Sequence, residues 1–253
     1  MFELTIWALS ALFLVGALAG FVDTLAGGGG MLTIPALLLT GMPPESALAT
    51  NKLQACFGSV TATAYFVRRG QLDLRVLWRG IVLCGIGAAL GVILVRMLPN
   101  ALLYKVLPIL LMGIALVFIL MPKLGEVERE ARWDLPMFLV GAVMPIGFYD
   151  GFLGPGTGSF LVLALVSLRG YTLQRATIEA KALNATSNVV SLLVFLVGGK
   201  MVWLAGFAMA GGQFMGARLA SGMIIARGNQ LIRPAAISMS LLMSLTLAWK
   251  YWF

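Results

Sequence analysis

The sequence predicts an all-helical membrane protein made of two related halves. Three observations lead there. First, 60% of the 253 residues are hydrophobic and only 11% charged, with a mean hydropathy of +0.96. That leaves too little charge to coat a soluble domain. Second, the apolar residues come in long unbroken runs. Such runs suit membrane helices, whereas barrel strands alternate. Third, a glycine-rich break occurs twice. It reads Gly20-Phe21-Val22-Asp23-Thr24-Leu25-Ala26-Gly27-Gly28-Gly29-Gly30, then Gly147-Phe148-Tyr149-Asp150-Gly151-Phe152-Leu153-Gly154-Pro155-Gly156-Thr157-Gly158. Consecutive glycines make poor helix. Hydrocarbon tolerates no unpaired backbone, so each break must be buried in protein or line a wet cavity.

The elements follow from these runs. Residues 5–25 form a first helix. The run 31–41 is apolar but spans only roughly 16 Å, about half the hydrocarbon core. Pro43-Pro44 breaks the chain, and 45–67 forms a helix ending at Arg68-Arg69-Gly70. Residues 76–98 follow, with Gly87 and Gly91 at helical-contact spacing. Pro99-Asn100 turns the chain into 101–121. Residues 122–133 are the long polar stretch and read as a cytoplasmic linker. The pattern then repeats as 134–153, 159–168, 172–197, 201–223 and 229–252. One transmembrane domain, 1–253, thus divides into repeats 1–121 and 134–253. Each repeat has about four full helices plus a short broken half-helix.

Landmarks recur in the same order, which chance explains poorly. Asp23 matches Asp150, Gly27 matches Gly154, and Lys52 matches Lys181. Gly87 and Gly91 match Gly212 and Gly216. If the short runs cross the membrane, the second repeat is inverted. The inside then holds Arg68, Arg69, Arg75, Arg79, Lys123, Arg129, Arg132, Arg169, Arg175, Arg218, Arg227 and Arg233. The outside holds Arg96, Lys105, Lys200 and Lys250. If the short runs re-enter, this asymmetry nearly vanishes. Positive charge concentrates on the cytoplasmic side, so the reading is inverted repeats in the cell inner membrane, multi-pass.

Composition also excludes. With no histidine, His-ligated metals and His-based catalysis are out. No phosphate-binding loop of the ATPase type is present. No catalytic residues, cofactor or metal are expected. The net charge of +8 sits at helix ends, where it orients the chain and meets anionic headgroups. Nucleic acid is not expected as a partner. Cys56 and Cys84 read as small core residues, and the first run lacks the basic segment of a cleaved signal peptide.

Ionisable residues inside apolar runs cost roughly 2.5–3.5 kcal/mol each on insertion scales and mark function. Here they are Asp23, Lys52, Asp150, Glu179 and Lys181. The plain alternative is an Asp–Lys pair that only ties helices together. Lys181, Asn184 and Asn188 share one helical face, with Ser187 and Ser191 beside them. Asn51 adjoins Lys52. Short helices starting at Met31 and Ser159 would offer free N–H groups and positive dipole ends. The candidate substrate-binding set is Gly28, Gly29, Gly30, Asn51, Lys52, Gly156, Thr157, Gly158, Ser159, Lys181, Asn184 and Asn188. Asp23 and Asp150 are candidate carriers of a coupling proton. The chemistry suits a small anion.

The stretches Gly27–Pro35, Ala47–Lys52, Gly154–Phe160, and Lys181 with Asn184, Ser187 and Asn188 resemble the TauE/SafE sulfite exporter family. The resemblance covers nearly the whole chain. It implies secondary transport, as export, of small anions such as sulfite, sulfoacetate and related organosulfur compounds. Alternating access between the halves is the expected mechanism. The alternative readings are a passive anion channel, a non-transport membrane protein, and a cation carrier using Asp23, Asp150 and Glu179. A homodimer is suggested only by general habit.

Overall fold

The computed structural model describes residues 5–103, 105, 129–198 and 200–227. All regular structure among them is helical. The helices are α1 (Ile6–Ala26), α2 (Gly30–Leu39), α3 (Pro44–Arg68), α4 (Leu74–Met97), α5 (Leu135–Phe152), α6 (Thr157–Arg169), α7 (Leu173–Leu196) and α8 (Trp203–Arg227). The runs 101–121, beyond residue 105, and 229–252 lie outside the described residues, as does linker segment 122–128.

Local sequence sets the helix starts. The side chains of Thr5, Asp73, Asp134 and Thr172 accept from backbone N–H groups in the first turns of α1, α4, α5 and α7. Such caps satisfy donors that no earlier carbonyl can reach. One irregularity was not foreseen: residues Leu139–Val143 of α5 form a π turn, in which Met144 N–H reaches back to the Leu139 carbonyl. Pro145 follows directly, and its ring excludes the normal bond to the carbonyl four residues back. The widened turn absorbs that mismatch.

Three helices, α1, α4 and α5, have the length and apolarity to cross a membrane on composition alone. By the same measure α3 and α7 fall short, because their middles are polar. Asn51, Lys52, Gln54, Lys181, Asn184, Ser187 and Asn188 are all buried. Large apolar side chains such as Trp7, Leu14, Val76 and Leu219 are exposed instead. A polar centre with an apolar exterior reverses the soluble pattern and suits a lipid surround.

Glycines bring the helices close. A Cβ on Gly87 or Gly91 of α4 would strike the backbone of α5 at Met144 and Phe148. A Cβ on Gly212 or Gly216 of α8 would strike α1 at Phe13 and Ala17. Small residues are what let membrane helices approach this closely. The contacts also fix direction. Gly16 faces Met209 and Gly20 faces Gln213, so α1 and α8 run the same way. Leu53 meets Gly206 and Tyr65 meets Gly222, so α3 joins them. By the same logic α4 runs with α5 and with α7. Between α3 and α7 the order reverses: Thr50 bonds Val202, just past the end of α7, while Lys52 bonds Asn188 within it. The six long helices therefore form two sets of opposite direction. The first is α1, α3 and α8; the second is α4, α5 and α7. Helix α2 doubles back along α1, with Gly29 beside Asp23 and Leu37 in one cluster with Leu12.

Candidate functional site

The two glycine breaks meet. Gly27 ends α1 in the left-handed conformation (φ 80°), and its N–H closes on the Asp23 carbonyl. Gly154 (φ 91°) and Gly156 (φ 79°) make the second break, between α5 and α6. Positive φ is cheap only for glycine. A Cβ on Gly27 would overlap Gly158 and Ser159, and one on Gly158 would overlap Gly27. The breaks therefore touch backbone to backbone.

Four charges surround this contact, and each lysine reaches an acid in the other half of the chain. Lys52 Nζ donates to Asp150 Oδ1 at 2.8 Å and to Asn188 Oδ1 at 3.3 Å. Lys181 Nζ donates to Asp23 Oδ2 at 2.9 Å and to the Asp23 carbonyl oxygen. Both lysine side chains are 1% exposed. The acids differ. Asp150 is 2% exposed and Oδ1 also accepts from the Thr157 hydroxyl, while Oδ2 has no partner among the described residues. Asp23 is 18% exposed, and both oxygens are engaged, because Gly29 N–H donates to Oδ1.

Between the acids lies a polar cavity of about 20 Å³, enough for one water. It is lined by Asp23, Gly30, Asn51, Asp150, Gly156, Thr157, Gly158, Asn184 and Asn188 from the expected set. Lys52 and Lys181 do not line it, although each bonds an acid that does. Gly28, Gly29 and Ser159 do not line it. Gly29 instead steadies Asp23, and the Ser159 hydroxyl bonds the Ala26 carbonyl, sealing the break.

Two expectations are corrected. The N–H groups at Met31 and Ser159 are not free, since they donate to the carbonyls of Gly28 and Gly156 within tight first turns. Nor is there a surplus of positive charge at the breaks, because each lysine is neutralised by an aspartate. Sequence reasoning also missed Gln213, which lines the cavity and is 2% exposed. A single amide inside the apolar run of α8, following Gly211-Gly212, was the available signal. Thr33 was missed as well, and Gln54, in the polar stretch beside Lys52, stood outside the candidate set. Thr33 donates to Asn51 Oδ1 at 2.5 Å, and Gln54 Nε2 donates to the same oxygen at 2.7 Å.

A largely buried polar site, built on two broken helices inside an apolar shell, defines a helical membrane protein of the transporter class. Residues 12–247 match the model of the family described as "Sulfite exporter TauE/SafE", and the chain belongs to that family. It is 50% identical over 237 residues to "Probable membrane transporter protein YfcA" of Escherichia coli strain K12, covering 93% of this chain and 88% of that one. It is 44% identical over 246 residues to a "Probable membrane transporter protein" of Haemophilus influenzae, covering 97% and 96%. A further relative, ORF9 of a Sinorhizobium species, is 42% identical over 247 residues, covering 98% and 95%. No solved structure matches the chain.

Proposed function

We propose that this protein is a secondary transporter of small anions, of the sulfite and sulfoacetate kind, working as an exporter in the inner membrane. The observation that carries the reading is the reciprocal pairing of Lys52 with Asp150 and Lys181 with Asp23 at two touching helix breaks. A carboxylate is itself a small oxyanion. A lysine that holds one has the geometry to hold a substrate oxyanion in its place. Asn51, Asn184, Asn188, Thr157 and the break backbones at Gly30, Gly156 and Gly158 supply further polar contacts.

The two halves act as inverted repeats. Support comes from direction. Helices α1 and α3 oppose their counterparts α5 and α7, and α4 opposes α8. Helix α2 turns back along α1, which supports counting the short run as a crossing in this reading. With the site at the repeat interface, rocking one half against the other alternates access. A passive channel is disfavoured by the small volume of the cavity, which has room for about one water.

Proteoliposome flux tests the reading. Wild-type protein should move sulfite or sulfoacetate, follow an imposed pH gradient, and lose transport in a folded Lys181→Ala variant. Absence of flux for both anions would remove the substrate assignment. Undiminished flux in Lys181→Ala would remove the site.

A further inference from the structure

We infer that Asp150, rather than Asp23, carries the coupling proton, and that its protonation is what releases Lys52 to the anion. The inference rests on the transport reading above.

The argument begins with charge. Asp23, Asp150, Lys52 and Lys181 sum to zero around the cavity. Adding an anion to this largely buried, neutral set of charges leaves an uncompensated charge, which is expensive. For a monoanion neutrality returns when one acid takes a proton; for a dianion such as sulfoacetate one proton leaves a single net negative charge.

The two acids are not equivalent for this purpose. Both Asp23 oxygens already accept strong donors, the Gly29 N–H and the Lys181 ammonium. Asp150 directs both of its donors, Lys52 and Thr157, onto Oδ1. Oδ2 is buried and accepts from nothing among the described residues. A buried carboxylate oxygen that accepts no hydrogen bond among the described residues is the open position for a proton. The groups around Asp150 do not compete for the role. Lys52 is its ion-pair partner on α3, and Cys56 of α3, Cys84 of α4 and Tyr149 of α5 are within electrostatic reach. Thr157 of α6 and Asn188 of α7 do not titrate.

The step balances simply. A lone pair on Oδ2 takes the proton and one O–H bond forms. No covalent bond breaks. Lys52 keeps its own protons and exchanges Asp150 Oδ1 for an anion oxygen, with Asn188 still holding it in place. One proton accompanies each anion in the same direction, so a monoanion crosses without net charge and a dianion carries one.

The test uses proteoliposomes holding a trapped pH dye and an inward gradient of sulfoacetate. In wild type, about one proton should enter per sulfoacetate. In Asp150→Asn, whose side chain imitates the protonated acid, proton entry per sulfoacetate moved should fall to background. Asp150→Glu should restore proton entry. Wild-type sulfoacetate flux without proton entry would overturn the inference and leave the transport reading standing. So would a proton ratio unchanged in Asp150→Asn. If Asp150→Asn does not fold, the wild-type ratio and its pH dependence in Asp150→Glu decide, and an unaltered pH dependence overturns the assignment. Failure of wild type to move sulfoacetate at all would instead defeat the transport reading, and this inference with it.

Discussion

Lys52 and Asp150 illustrate how a buried pair constrains mutation. Replacing Lys52 by Met leaves the Asp150 carboxylate buried without its partner. Breaking one side of such a pair costs about 3–5 kcal/mol. The melting temperature of the detergent-solubilised variant should fall sharply, as read by tryptophan fluorescence. The double variant Lys52→Met/Asp150→Asn removes both charges and should recover most of that loss, yet still fail to transport. A double variant that transports normally would make the pair a mere strut. The sequence made these four residues visible because charge inside apolar runs stands out. It did not reveal who pairs with whom, since Lys52 and Asp150 are 98 positions apart. For the same reason it overestimated the free positive charge. Gln213 escaped notice because one amide in a membrane helix looks ordinary until a fold brings it against Gly20 and Gly58.

At the scale of the helix, glycine decides what can change. A Val at Gly91 would drive its side chain into the α5 backbone at Phe148 and Phe152, where nothing flexible can yield. Folded protein should be lost, seen as aggregation in size-exclusion chromatography. Gly70 is the contrast. Its φ is +66°, but no atom lies near its would-be Cβ. Gly70→Ala should cost only about 1–2 kcal/mol, the usual penalty for a side chain in the left-handed region, and leave a folded protein. The described helices agree with the apolar runs to within a few residues, because Gly, Pro and capping residues punctuate them. The π turn in α5 was illegible, since it depends on how Pro145 is accommodated within a packed helix. The closed first turns of α2 and α6 were missed likewise, because free donors can be counted only once backbone geometry is known.

For the whole molecule, the opposed helix directions predict sidedness. Cysteines placed at exposed Gln71 and Lys200 should react with an impermeant thiol reagent from opposite faces of the membrane. Native Cys56 and Cys84 are buried and should contribute little background. Labelling from the same face would contradict the inverted arrangement. The crossed pairing of lysines and acids has a consequence for biogenesis. During synthesis, the first half enters the bilayer with Lys52 bare and Asp23 unmatched, and remains so until the second half arrives. A half-chain on its own lacks the partner that the folded protein gives to each of its buried charges. The site thereby doubles as a checkpoint: only a molecule whose halves have found each other is free of unpaired charge.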